Sequence, residues 1–210
     1  MLRILIADDH PIFRQGLKQI LSETSDMVVV DEAAEGKEAL SKACRVDCNM
    51  VLLDISLPLM SGLEVLKHLN RLRPHLPVLI LSIHPEEQYA LRALKAGASG
   101  YLTKESAPDD LISAIRVISD GKKYVSSNLA DRLARSLHTD ARKAPHELLS
   151  DREFHVMCLI GAGKRIADIA DELSLSAKTV STYRARILTK MQLRTNAEII
   201  RYVLLNRLLD

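Results

Sequence analysis

The 210-residue chain reads as two parts of different class, an α/β part followed by an all-α part. Three observations predict this. Five short apolar runs alternate strictly with five helical patterns through Tyr124, which implies a parallel sheet with helices on both faces. The stretch His138–Glu147 then has almost no apolar side chains. From Ser150 onward the apolar residues recur only at helical spacing.

Taken in order, Leu2–Ala7 is nearly all apolar, as a strand covered on both faces should be. After Asp8-Asp9-His10-Pro11 the spacing predicts a helix over Ile12–Leu21, carried by Ile12, Phe13, Leu17, Ile20 and Leu21. Pro11 suits its first turn, because the missing N–H would have no helical partner there. Met27–Val30 is a second strand, and Gly36–Cys44 a helix with Ala39, Leu40 and Ala43 inward. Met50–Leu53 is the third strand, followed by a helix over Leu63–Leu72 on Leu63, Val65, Leu66 and Leu69. Pro77–Ser82 is the fourth strand and Pro85–Ala96 a helix, with Gly97 placed for a left-handed C-terminal cap. Gly100–Thr103 is a short fifth strand, and the helix Ala107–Ser119 closes at Asp120-Gly121. Right-handed crossovers bring the carboxyl ends of such strands to one edge.

The middle is sparser. Leu129, Leu133 and Leu137 are spaced for a short helix, and His138–Glu147 reads as a flexible linker. In the tail, Ser150 and Glu153 form a capping box for the helix Asp151–Ile160. A second helix, Arg165–Leu173, leads through the turn Ser174-Leu175-Ser176 to a third, Ala177–Met191, and Asn196–Leu205 is a fourth. The expected division is residues 1–124, a linker 125–147, and 148–210.

Composition removes several function classes. Nearly half the residues are hydrophobic, enough for real cores, but only 3% are aromatic and none is Trp, which argues against a stacking platform for single-stranded nucleic acid. No apolar run approaches ~18 residues, and the apolar start is broken by acids too early for a signal peptide. A cytoplasmic protein without membrane contact is expected. Its 3 cysteines lack paired metal spacing and read as reduced thiols. Net charge is +2, yet residues 1–124 carry 15 Lys/Arg against 17 Asp/Glu, and residues 150–210 carry 10 against 7. Any nucleic acid should therefore meet the tail.

The chemistry-bearing residues lie at strand ends. Asp54 ends the third strand, where an unpaired charge inside the apolar run would cost several kcal/mol. At the carboxyl end it faces the crevice in which open parallel sheets hold ligands. Asp8 and Asp9 follow the first strand, Ser82 ends the fourth, and Lys104 follows the fifth. Three neighbouring carboxylates repel one another and call for a divalent cation, and hard oxygen donors with few protein contacts suit Mg²⁺. A carboxylate beside Mg²⁺ can attack a phosphoryl group and form an acyl phosphate. Ser82 and Lys104 can then bind the phosphoryl oxygens, where charge collects. His10 and His84 flank this rim but are given no role as ligand or base, since His10 more simply opens a helix before Pro11. In the tail, two short helices joined by a tight turn describe a helix-turn-helix. Lys178, Thr179, Ser181, Thr182, Arg184, Arg186 and Lys190 would lie on its recognition helix, the first of them meeting bases and others phosphates.

Asp8-Asp9, Asp54 with Leu57-Pro58 and Gly62, Ser82, and Tyr101-Leu102-Thr103-Lys104 resemble the receiver domain of two-component response regulators. That resemblance implies a flavodoxin-like sheet of strand order 2-1-3-4-5, with Asp54 as phosphoacceptor and Lys104 as the phosphoryl-binding lysine. It further implies Mg²⁺ held by Asp9, Asp54 and the backbone carbonyl of Ser56, with Asp8 assisting through water. Ser82 and Tyr101 would be a switch pair, Tyr101 repacking inward on phosphorylation. Glu105 stands where many receivers carry proline after the lysine, so a cis bond is not expected there. Leu149-Ser150-Asp151-Arg152-Glu153, Ile166–Leu173 and Ser176–Val180 resemble the LuxR-type four-helix DNA-binding domain. Ser181 and Tyr183 stand where most members have lysine and histidine. Together the halves are similar to the NarL/FixJ class. This implies a sensor histidine kinase and double-stranded promoter DNA as partners, with RNA polymerase a further contact. It also implies a homodimer on activation, through Ile199, Ile200, Val203 and Leu204 of the last helix.

Two other readings differ in class. A phosphohydrolase of the haloacid dehalogenase type would need a second acid two residues after Asp54, where Ser56 stands, so no enzyme is expected beyond slow loss of the phosphoryl group. A regulator answering to a partner protein or ligand, without phosphorylation, would normally lack the acids, the acceptor or the lysine. A nicotinamide dehydrogenase is excluded, because no Gly-x-Gly-x-x-Gly follows the first strand.

Overall fold

The structure is a computed structural model that describes residues 1–126, 129, 130, 144–206, 208 and 209. Of the expected helix, Leu129 and Ala130 are described as helical, with Leu129 buried, while Leu133, Leu137 and most of the expected linker lie outside the described residues. The chain divides into two compact units, Met1–Ala134 and Arg135–Asp210.

In the first unit, β1 (Leu2–Ala7), α1 (Pro11–Ser22), β2 (Met27–Ala33), α2 (Gly36–Arg45), β3 (Met50–Asp54), α3 (Gly62–Leu72), β4 (Val78–Ser82), α4 (Glu86–Lys95), β5 (Gly100–Thr103) and α5 (Pro108–Ser119) alternate as expected. All strand pairings are parallel and the order is β2-β1-β3-β4-β5. Every residue of β3 and β4 is buried. Alternate residues Ile4, Ile6, Met50, Leu52, Leu79 and Leu81 form one core with Leu17 and Leu21 of α1 and Leu111, Ala114, Ile115 and Ile118 of α5. Burial of each such large aliphatic side chain contributes about 1.5–3 kcal/mol. Their neighbours Leu5, Val51, Leu53 and Ile80, equally buried, point to the other face.

Two boundaries differ instructively. The sequence reading ends β2 at Val30, because Asp31 and Glu32 break the apolar run; the strand continues to Ala33. As an edge strand it can carry charges outward, and there Lys42 pairs with Asp31 while Arg14 and Lys18 pair with Glu32. Pro77, with no N–H to give, stays outside β4, although its carbonyl still accepts from Val51 at 3.0 Å. Gly97 has the expected left-handed backbone, φ 102°. No described peptide bond is cis.

The second unit holds α6 (Asp151–Gly161), α7 (Ile166–Glu172), α8 (Ala177–Met191) and α9 (Asn196–Leu205). The Ser150–Glu153 capping box forms, and Ser176 caps α8. Pro145–Leu148, assigned mostly to the linker, is a 3-10 turn. It is tied down by His146, whose Nδ1 lies 2.9 Å from Tyr202 Oη on α9. Phe154, Met157 and Ile160 of α6, Ile169 of α7, Val180 and Ile187 of α8, and Ile199 and Val203 of α9 are buried. Ile199 and Val203 therefore belong to this unit's own core, which corrects their assignment to a dimer face; Leu204 and Leu205 remain exposed.

The loop after β3 sets the site. Gly62 donates its N–H to the Ile55 carbonyl at 2.9 Å, and Ser61 caps α3 in a second capping box with Glu64 that the sequence reading missed. This folds the loop back over Asp54 so tightly that a Cβ on Gly62 would stand 1.9 Å from the Asp54 carbonyl oxygen. Gly62→Ala must therefore displace backbone, and is expected to lower the urea unfolding free energy by about 1–3 kcal/mol. An unchanged midpoint would show that the loop yields freely.

Candidate functional site

The strand ends meet as the order of the sheet requires. β1 and β3 are neighbours at its centre and β4 and β5 follow, so Asp8, Asp54, Ser82 and Lys104 emerge along one rim. Lys104 Nζ lies 2.6 Å from Asp8 Oδ2 and 2.8 Å from Asp54 Oδ2. All three groups are withdrawn from solvent, with side chains 7%, 2% and 1% exposed respectively. Asp54 Oδ1 accepts the Ser56 N–H at 3.2 Å, and Asp8 Oδ1 accepts the His10 N–H at 2.8 Å. Burial pushes the Asp54 carboxyl above its ordinary range, against the pull of Lys104. Burial also works against the Lys104 charge, but Asp54 and Asp8 together hold it above the ordinary lysine value, so the ammonium keeps its proton.

One ligand atom each from Asp8, Asp9, His10 and Asp54 lies within 4.8 Å of the others. His10, left unassigned from sequence, stands with Nδ1 2.7 Å from Asp9 Oδ1. Asp8 Oδ2 and Asp9 Oδ1 are shut off from solvent, facing the Lys104 ammonium and the His10 ring respectively. Oxygen donors so placed fit a small hard cation.

The two expected switch residues are linked through His84. Ser82 Oγ accepts the His84 N–H at 3.1 Å, and Tyr101 Oη donates to the His84 carbonyl at 2.7 Å. The His84 ring meets Ser56 Oγ at 3.2 Å and stacks against Tyr89, centroids 4.6 Å apart. The Tyr101 side chain is buried in this structure, 2% exposed, where β5 turns it inward.

In the second unit, Ser174 takes a left-handed backbone, φ 52°, and turns α7 into α8. At about 100° per residue, the buried Val180, Ile187 and Met191 define one side of α8. Lys178, Ser181, Thr182 and Arg186 lie exposed across the opposite side, together with Ala185 and Thr189.

Residues 4–116 match the response regulator receiver domain, and residues 147–203 match the bacterial regulatory proteins of the luxR family. The chain is 35% identical over 200 residues to the response regulator GacA of Pseudomonas viridiflava, covering 95% of this chain and 94% of that one. It is 34% identical over 201 residues to the response regulator UvrY of Escherichia coli, covering 95% and 92%. The chain belongs to the two-component response regulators. Among solved structures this response regulator is similar to RcsB from Salmonella enterica serovar Typhimurium bound to promoter P1flhDC in the presence of phosphomimetic BeF3⁻. That likeness has a TM-score of 0.61 and 25% identity, and covers 96% of this chain and 97% of that one. The regulator thus joins a receiver domain to a LuxR-type helix-turn-helix domain. No described helix is long and apolar enough to cross a membrane.

Three of the regulator's expected DNA-binding residues have other occupations. Lys190 Nζ is 2.6 Å from Glu153 Oε2, which is nearly fully buried in the capping box of α6. Arg184 is half-buried and donates through Nε to Asn196 Oδ1 at 2.5 Å, tying α8 to the start of α9. Thr179 helps cap α8, its Oγ1 2.8 Å from Ser176 Oγ. Charge alone had put all the basic residues of α8 together; the helical phase separates them. The same phase, read off the sequence, was enough to find Ala185 and Thr189. The His84 bridge is made by backbone atoms and leaves no mark in side-chain identity.

The Glu153–Lys190 pair gives a testable acid response. Burial alone would raise the Glu153 carboxyl; Lys190 and the Ser150 cap hold it below its ordinary 4.5. Stability from such a depressed carboxyl is complete above the unfolded pKa and is lost as pH falls through the folded one. Lys190 is 41% exposed, so solvent screens the pair. Lys190→Met is expected to cost about 1 kcal/mol at neutral pH and to flatten the decline in stability below about pH 4.5. Urea titrations followed by circular dichroism across that range measure both effects.

Proposed function

We propose that this response regulator, acting in the cytoplasm, takes a phosphoryl group on Asp54 and answers by binding duplex promoter DNA through α8. The observation that carries the reading is the shared ammonium, 2.6 Å from Asp8 and 2.8 Å from Asp54 beside a third acid, Asp9. An oxygen of the Asp54 carboxylate attacks the phosphorus of a phosphohistidine on a sensor kinase, or of a small acyl phosphate. The bond from phosphorus to the donor breaks, its electron pair leaves with the donor, and Asp54 keeps the group as an acyl phosphate. Asp9, Asp54 and the Ser56 carbonyl would hold Mg²⁺, with Asp8 beside them, and the ion would offset the charge of the acids and of the incoming oxygens.

Lys104 then passes from Asp54 Oδ2 to a phosphoryl oxygen, and the Ser82 hydroxyl turns to donate to another. Ser82 thereby releases the His84 N–H, while Tyr101 still holds the His84 carbonyl. The segment between β4 and α4 moves as a result, and Tyr101 follows it from inside. The receiver acts as an acceptor that loses its group slowly, not as an enzyme with turnover. A second copy would meet the exposed Leu204 and Leu205 and half-buried Ile200 of α9. Two recognition helices would then reach two half-sites. The promoter-bound RcsB structure supports the readout, and GacA and UvrY support the regulator class.

Incubation with Mg²⁺ and a small acyl phosphate is expected to add about 80 Da, one phosphoryl group, at Asp54. Tighter promoter binding should follow. Asp54→Asn should show neither effect; donor-stimulated DNA binding by that variant would sink the reading in favour of control by a partner protein or ligand. The salt dependence of DNA binding separates residues that touch phosphate from those that support the helix. Lys178→Met is expected to reduce the log–log slope by about 0.9 for each phosphate the lysine neutralises. Lys190→Met, which loosens the helix and removes no charge from the DNA-facing side, should weaken binding and leave the slope unchanged.

A further inference from the structure

Among the described residues three groups hold the Lys104 ammonium, two of them acids. Besides its pairs with Asp8 and Asp54, Nζ lies over the Phe13 ring, 4.8 Å from the centroid. Phe13 is in the first turn of α1, half-buried and packed against the core shared by α1 and α5. Phe13 and Lys104 both line a small, mostly apolar cleft of about 90 Å³, with leucines of α1, β4, β5 and α5 and the hydroxyl residues Thr103 and Ser106.

We propose that Phe13 is a positioning residue for Lys104, its ring face seating the ammonium over the acid pocket before and after phosphoryl transfer. This deepens the proposed function and rests on Asp54 being the acceptor. The physical reason is that the ammonium's partners change during the reaction. Asp54 gives up its carboxylate charge when one of its oxygens becomes bonded to phosphorus, and Asp8 and Asp9 are engaged wherever a cation is held. The face of an aromatic ring attracts a cation within about 6 Å, it neither titrates nor binds the metal, and it offers the same attraction in both states. Little water can substitute, since the lysine side chain is 7% exposed. An aliphatic side chain at position 13 would keep the bulk and lose the attraction.

The test compares Phe13→Leu and Phe13→Met with Phe13→Tyr, which keeps the ring. Two quantities are read. One is the ¹H shift of the Lys104 ε-methylene in full-length protein, which a ring face beneath it moves upfield. The other is the rate of Asp54 phosphorylation by a small acyl phosphate with Mg²⁺. The wild type and Phe13→Tyr are expected to show the upfield shift and similar rates. Both aliphatic variants are expected to lose the shift and to react about 3- to 10-fold more slowly. A shift that stays in folded Phe13→Leu or Phe13→Met, or equal rates in all four proteins, overturns the seat. If the wild type gains no phosphoryl group while the shift behaves as stated, the phosphoacceptor reading fails and the seat for the resting lysine stands. A structural role alone would slow Phe13→Tyr along with the others and leave no ring-dependent signature.

Discussion

A lysine ammonium lies within 3 Å of two carboxylates, all three withdrawn from bulk water, and the first unit is built so that they can be. Any one of these charges alone in that position would cost several kcal/mol. Together Lys104, Asp8 and Asp54 satisfy one another, with backbone N–H groups of Ser56 and His10 completing the carboxylates. The arrangement needs β1 and β3 side by side, β5 two strands away, and all three running the same way. A parallel sheet of order β2-β1-β3-β4-β5 supplies this, and the strict strand–helix alternation produces such a sheet. The close fold of the loop at Gly62 and the seat at Phe13 are refinements of the same constraint, since each fixes where a charged group can go.

The site is also poised to change partners. Lys104 is held by a carboxylate whose charge passes to phosphoryl oxygens when Asp54 is modified, and Ser82 Oγ accepts a backbone N–H of His84. Tyr101 holds the other end of the same residue, so in the proposed switch a short movement of the hydroxyl would be conveyed to the β4–α4 segment. That path would run through a backbone that two side chains grip. Interiors are close-packed, so a ring already inside moves with its surroundings.

The second unit obeys the same rule with a different result. Glu153 is buried to complete a helix cap, and a buried carboxylate needs a cation. Lys190 supplies it and is thereby withdrawn from the DNA-facing side of α8. Arg184 is drawn to Asn196 in the same way. A basic residue on a recognition helix is therefore as much a candidate for holding the helix as for touching nucleic acid, and its angle around the axis decides which.

Much of this protein was legible in the one-dimensional pattern. The elements of the first unit, the helix-turn-helix, and the strand-end placement of Asp8, Asp9, Asp54, Ser82 and Lys104 follow from apolar periodicity and from the cost of a charge inside a strand. Those are local properties, set by each residue and its near neighbours. The pattern failed where a residue's fate depends on something distant. β2 outlasts its apolar run because it is an edge strand with basic partners on α1 and α2. Ile199 and Val203 face inward because α6 packs on α9. Lys190 and Arg184 answer to Glu153 and Asn196, 37 and 12 residues away. Sequence determined which residues have the means to carry charge, phosphoryl group and DNA. Tertiary structure decided which of them are free to do so, because a buried charge takes the partner that packing places beside it.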